Sequence, residues 1–373
     1  MKEGICGICP GQCHVALDIE DGRIKKIKKS EKNFPSALCL RGFYSDEILN
    51  SPDRLKTPLI RTGTKGEFSF REASWDEAIS LIGKKYSKIV EENGAQALAS
   101  VFGRGGFENS TSDFVNLSAD AGREIGFFAP LGSPNNGSVS SLCYVSFGVF
   151  APMINFGMLG NRFSPDYENA EYIFIWGAHP PTASPTFEYE TILKAQKNGA
   201  KVIVIDHYKS RMCEVADKYI LIKSGMDGVL IHTIFNYLNS QNAFDEDFAK
   251  KYTHGFDSYR EYIKDFDLKS CEERTGVKEE DIKFIAETIV NHKSALRMYT
   301  GLEYTNSGMQ TIRALYLLWF MTKNVDVPGG LLISPKGKPD RVKRFNNDTY
   351  CKRIGSDEFP LFDKFMKSPQ LTK

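Results

Sequence analysis

Three of the eight cysteines fall within the first 13 residues, as Cys6, Cys9 and Cys13, and a fourth follows at Cys39. The spacing is C-x2-C-x3-C-x25-C, with Gly7, Pro10 and Gly11 in the loop. A turn this short can wrap one inorganic centre, which a distant fourth thiolate then closes. Four thiolates suit zinc or an iron–sulfur cluster. Structural zinc sites usually bring two C-x2-C pairs; here one pair is followed by a third cysteine, which favours a [4Fe-4S] cluster. The reverse order, C-x3-C-x2-C with substrate on the remaining iron, is not the order here.

Between Cys13 and Cys39, Val15 to Ile27 alternates apolar and polar residues around Asp21-Gly22, the pattern of a β-hairpin. The cluster is therefore expected on a small β-rich lobe. His14 reads as a loop residue rather than a ligand. Arg41, just past Cys39, is either a solvated cation or one that stabilises the reduced cluster. A chain of 373 residues is longer than one core usually covers, so two or three domains are expected. Lys+Arg 48 against Asp+Glu 47 argues against a nucleic-acid partner. No apolar run approaches the roughly 20 residues of a membrane span. No signal peptide or twin-arginine pair is visible, so the expected compartment is the reducing cytoplasm, where clustered thiols bind metal.

The four cysteines and Cys39-Leu40-Arg41-Gly42 resemble the N-terminus of the molybdenum/tungsten bis-pterin oxidoreductases, the dimethyl sulfoxide reductase superfamily. Further stretches agree in order: Asp53-Arg54-Leu55-Lys56-Thr57-Pro58-Leu59, Ser74-Trp75-Asp76-Glu77-Ala78, Trp176-Gly177-Ala178-His179-Pro180, Ala216-Asp217, Gly225-Met226-Asp227 and Pro328-Gly329-Gly330. The resemblance implies an α/β protein: a small β-rich iron–sulfur lobe followed by two nucleotide-binding-like α/β lobes, one inserted in the other. The implied domains are 1–55 for the cluster, 56–105 plus 293–373 for a first, discontinuous and incomplete lobe, and 106–292 for a second lobe with a dinucleotide-type βαβ unit.

Local patterns agree. Ser74 to Lys88 reads as a helix capped by Ser74, with Glu77 at the capping-box position and Ala78, Ile79 and Ile82 on one face. Tyr172–Trp176 and Lys201–Ile205 read as strands buried on both faces, around a helix over 185–198. Helices over 280–291 and 309–323 flank a strand at 295–299. Ligands of such sheets bind at the carboxyl ends of the strands. The resemblance implies pterins with guanosine diphosphate tails. It places Trp176, Gly177, His179, Asp206, Gly225 and Asp227 among the cofactor-binding residues, with Asp206 accepting from a ribose hydroxyl and Asp227 from the guanine edge. His179, His207 and Lys223-Ser224-Gly225-Met226-Asp227 depart from the family's usual residues there.

No charge occurs between Glu124 and Arg162. Proline, asparagine and glycine in that stretch exclude a continuous helix, so an irregular path through a buried region is expected. Cys143 lies within it. From composition alone it is a small buried hydrophobe; the resemblance makes it the Mo or W ligand and the catalytic residue, a soft thiolate beside four pterin sulfurs. Formate dehydrogenases usually carry His directly after this ligand; here Tyr144 follows, which weighs against formate. Cys213, Cys271 and Cys351 read as structural.

Residues 336–373 read as a solvated tail. The family continues for several hundred residues more, including a C-terminal domain that binds the pterin dinucleotides and is absent here. A second polypeptide supplying it, or a truncated product, is expected, together with an external electron carrier or ferredoxin-like subunit. The implied function is electron passage between a Mo/W bis-pterin guanine dinucleotide centre and the [4Fe-4S] cluster, inactive without the missing portion. The alternatives are a non-redox, tungsten hydratase-like enzyme and a non-catalytic cluster-carrying subunit.

Overall fold

The structure, a computed structural model, describes residues 1–8, 13–32, 37–102, 128, 131–133, 135–138, 144–334 and 357–358. Chain contacts divide it into two units, Met1–Leu142 with Asp340–Lys373, and Cys143–Pro339.

The first unit opens with the expected β-rich lobe. Strands β1 (Lys2–Ile5), β2 (His14–Glu20) and β3 (Arg23–Lys29) form an antiparallel sheet in that order. Asp21 and Gly22 make the β2–β3 turn with φ of 50° and 75°. Two successive left-handed residues match the turn to the strand twist, which is why Asp-Gly stands there. Two short strands, β4 (Leu59–Arg61) and β5 (Phe70–Glu72), pair antiparallel. The helix expected from residue 74 runs over Trp75–Asn93. Ser74 caps it, its hydroxyl accepting from the Glu77 N–H at 3.1 Å. Glu77 engages Arg71. The apolar face is present, but Ile79 and Ile82 are exposed. Strands β6 (Ser100–Phe102) and β7 (Asn136–Ser138) pair in parallel.

The second unit begins with a helical stretch. A wide turn over Ser146–Phe150, in which the Ala151 N–H bonds to the Ser146 carbonyl, leads into a helix over Ala151–Phe156. Over 146–156 the uncharged stretch is helical rather than irregular, with Phe147, Val149, Phe150 and Ala151 in the interior; residues 136–138 of the same stretch are extended, and much of its remainder lies outside the described residues. The wider i→i+5 bond accommodates Pro152, which lacks the N–H of a regular helix.

Strands β8 (Phe163–Pro165), β9 (Tyr172–Trp176), β10 (Lys201–Asp206), β11 (Lys218–Leu221), β12 (Ser294–Met298) and β13 (Leu331–Ile333) follow. The central sheet is parallel, in the order β11-β10-β9-β12. Its strands alternate between two cores. Phe174, Trp176, Ile203 and Ile205 face helices Asp227–Ser240, Glu279–Asn291 and Gly308–Met321; Ile173, Ile175, Val202 and Val204 face Glu188–Lys197. Burial on both faces explains the unbroken apolar runs.

The pairing of β12 with β9 departs from the expected division. Residues 293–334 complete the sheet of 172–221 and belong to the second unit, not with 56–105. Sheet hydrogen bonds set membership, and a single sequence does not display them. Among the described residues no helix is long and apolar enough to cross a membrane.

Candidate functional site

In the first unit three of the four N-terminal cysteines are described. Cys13 is buried, and Cys6 and Cys39 are half-buried. The Cys6 N–H bonds to the Cys13 carbonyl at 2.9 Å, so the sheet sets the two ends of the loop side by side. A Cβ at Gly42 would lie 3.3 Å from Cys6 Sγ, so the Cys6 thiol lies close to the turn Leu40–Phe43 that Cys39 opens. Burial raises the Cys39 thiol pKa. Hydrogen bonds from the Gly42 and Arg41 N–H groups and from the Arg41 side chain, with its charge, outweigh that, and the net shift is downward. Such a thiol is predisposed to the thiolate a metal needs. Among the described residues no three His, Cys, Asp or Glu side chains converge as a metal site. Cys9, which the expected set requires, lies outside the described residues, as does Cys143.

In the second unit the candidate residues meet at the carboxyl edge of the sheet. Chain order reverses between β9 and β12, the switch point where α/β sheets open a crevice. There the backbones of Gly177 and Gly301 touch: the Gly301 N–H donates to the Gly177 carbonyl at 3.0 Å. Gly177 has φ of 58°. A Cβ on it would come within 2.6 Å of Leu302 and 3.2 Å of the Gly301 backbone. The close approach that Gly177 permits is thus made by the chain's own backbone. Gly225 also has positive φ, 78°, and lies in the turn before Asp227.

Trp176 is fully buried. It reaches the site only through its indole N–H, which donates to Asp227 Oδ1 at 2.8 Å. Asp227 opens the helix Asp227–Ser240 and is buried. Burial raises its pKa against the hydrogen bond from Trp176, and the charge of Asp206 raises it further. Asp206, at the end of β10, is buried too. Burial raises its pKa, opposed by the His207 N–H at 2.8 Å and by the His207 and His179 side chains. Nε2 of His179 is buried without a hydrogen-bond partner among the described residues.

Sequence reasoning missed Glu303. Its carboxylate is buried and accepts from the Tyr144 N–H at 3.0 Å and the Ser146 N–H at 2.9 Å. A lone acid in the apolar surroundings of Gly301-Leu302-Glu303, just past a strand's carboxyl end, was the available signal.

The profile of the molybdopterin oxidoreductases matches residues 54–342. The chain belongs to the molybdopterin oxidoreductase family. It is 27% identical to formate dehydrogenase H of Escherichia coli over 87% of this chain and 45% of that one. It is 26% identical to the nitrate reductase of Symbiobacterium thermophilum over 90% and 45%. Acetylene hydratase from Pelobacter acetylenicus has the same fold, with a TM-score of 0.74 at 22% identity over 89% of this chain and 45% of that one. The chain thus spans less than half the length of these relatives.

Family membership implies a pterin that carries molybdenum or tungsten. The carboxyl edge offers two buried carboxylates, Asp206 and Asp227, which are acceptors for hydroxyl and N–H groups of a ligand. The unpartnered His179 Nε2 is a buried polar atom that a ligand would satisfy.

Proposed function

We propose that this chain is the cluster-bearing portion of a molybdopterin oxidoreductase. In this reading Cys6, Cys9, Cys13 and Cys39 hold a [4Fe-4S] cluster, Cys143 ligates Mo or W, and the carboxyl edge of the second unit holds a guanosine diphosphate tail. The remainder of the enzyme comes from further residues or a partner polypeptide, and electrons leave through a separate carrier.

One observation carries the nucleotide part. Asp206 and Asp227 are buried at the end of a parallel sheet, and His179 Nε2 beside them has no hydrogen-bond partner among the described residues. Buried carboxylates with raised pKa cost stability, and their presence at a switch point supports a binding role. Asp206 accepts from the ribose. Asp227, with Oδ1 oriented by Trp176, accepts from the guanine ring N–H and amino group. His179 adds a polar contact nearby. Arg41 and the turn after Cys39 bias that thiol toward its ligating form. When bound, the metal–pterin centre supplies two-electron chemistry and the cluster passes electrons singly.

Calorimetric titration with GDP and ADP checks the nucleotide assignment. GDP is expected to bind more tightly than ADP, and Asp227→Asn is expected to abolish that preference. Equal binding of the two nucleotides by the unaltered chain would overturn the guanine assignment.

A further inference from the structure

Strand β3 is an edge of the N-terminal sheet, and five of its seven residues are cations: Arg23, Lys25, Lys26, Lys28 and Lys29, with no acid among them. The local fold leaves all five exposed. The β2–β3 register shifts between Asp18 and Ile19, so Ile24 and Ile27, three residues apart, stand opposite Ile19 and Leu17. One extra residue in the strand thus puts both isoleucines on one face, and Ile27 is buried there. Lys25 approaches Glu20 at 4.0 Å. Arg23, Lys26, Lys28 and Lys29 make no ion pair among the described residues. The hairpin's acids Asp18, Glu20 and Asp21 gather at its turn. Lys28 and Lys29 lie at the other end, where Lys29 stands opposite Val15, two residues past Cys13.

In the same unit β3 lies against the turn Leu40–Phe43 that Cys39 opens. That turn carries an exposed apolar group. Leu40 is 77% exposed, and Phe43 and Tyr44, their rings edge-on with centroids 5.0 Å apart, are about half exposed. An apolar and aromatic centre with a charged rim is the make-up of a protein interface. Charge at the rim steers the encounter, and the apolar centre holds it. Lysines on an edge strand also keep it from pairing with another sheet. That role does not account for Leu40 and the ring pair beside them. A nucleic acid duplex is held by cations alone, and a net charge of +1 gives the chain no wider attraction for one.

We propose that β3 and residues 40–44 form the docking surface for a small acidic protein that carries one electron at a time. Carboxylates of the carrier meet Lys26, Lys28 and Lys29, and its apolar surface meets Leu40 and Phe43. One electron passes between cluster and carrier, one being oxidised as the other is reduced. Naming the partner as an electron carrier rests on the reading of the N-terminal cysteines as cluster ligands; the complementarity to an acidic protein does not.

The test uses the full chain after reconstitution with iron and sulfide. The probe is an acidic plant-type ferredoxin, and cytochrome c, a basic carrier, is the control. Calorimetric titration at about 20 mM salt is expected to show binding of ferredoxin and none of cytochrome c. The affinity for ferredoxin is expected to fall about tenfold or more by about 300 mM salt, where charges are screened over a far shorter distance. Lys26→Gln/Lys28→Gln/Lys29→Gln is expected to weaken binding about tenfold or more. Lys84→Gln/Lys85→Gln/Lys88→Gln, which removes exposed cations from the helix Trp75–Asn93 of the same unit, is expected to leave binding unchanged. No ferredoxin binding at low salt, equal losses in the two variants, or tighter binding of a DNA duplex than of ferredoxin would each overturn the proposal. Iron is assayed on the same samples. A chain that holds iron and ignores ferredoxin overturns the docking surface alone; one that binds ferredoxin without iron overturns the electron-carrier reading instead.

Discussion

The indole N–H of Trp176 donates to Asp227 Oδ1 at 2.8 Å, with both side chains buried. This bond joins the last residue of a core strand to the first residue of a core helix. It also orients a carboxylate whose raised pKa works against the fold at neutral pH. The folded chain holds that proton more tightly than the unfolded chain does. Stability from Asp227 is therefore fullest below the ordinary carboxylate pKa and is lost as pH rises through the raised value. Asp227→Asn keeps the acceptor for Trp176 and removes the charge. At pH 7 its urea midpoint is expected to equal or exceed that of the parent. Trp176→Phe strands the carboxylate and is expected to cost about 2 kcal/mol or more. A marked loss in Asp227→Asn would identify the carboxylate as a structural cap instead.

Gly301 and Gly225 should respond differently to alanine. At Gly301 a Cβ would lie 2.7 Å from both Cα and O of Gly177, and backbone on both sides cannot yield. Gly301→Ala is expected to cost about 3 kcal/mol or to prevent folding. At Gly225 the space is open and only the positive φ resists, so Gly225→Ala should cost about 1 kcal/mol. Denaturant unfolding of the two variants measures the difference, and equal losses would discount the Gly177–Gly301 contact.

His232 gives the second unit an acid limit. Its ring lies among Tyr259, Tyr262 and Phe266, bonded to the Tyr259 hydroxyl at 2.8 Å. Burial lowers its pKa to about 4. The unfolded histidine takes up its proton near pH 6.5 and the folded one near 4, so the contribution is intact above pH 6.5 and lost as pH falls toward 4. The loss amounts to about 3 kcal/mol. His232→Gln, which keeps a polar side chain and does not titrate, should flatten that part of the stability–pH curve. Identical slopes in the two proteins would exclude His232 as the cause.

The sequence displays what depends on local pattern. Tyr172–Trp176 and Lys201–Asp206 announce themselves as strands because both faces are buried, and Ser74 caps its helix as short-range chemistry requires. Pairing is another matter: nothing within Ser294–Met298 says that its neighbour is β9. Pro152 reads as a helix breaker, yet one wide turn ahead of it accommodates the ring. Asp206 and Asp227 stand out through strand ends and turn glycines. Glu303 does not, since its partners are backbone N–H groups 157 and 159 residues away.

Iron analysis of the anaerobically prepared chain, after reconstitution with iron and sulfide, bears most directly on the central claim that the N-terminal cysteines hold a cluster. About four iron per chain and broad thiolate-to-iron absorption are expected, both lost in Cys39→Ala. One zinc and no iron, or iron and colour unchanged in Cys39→Ala, would contradict it.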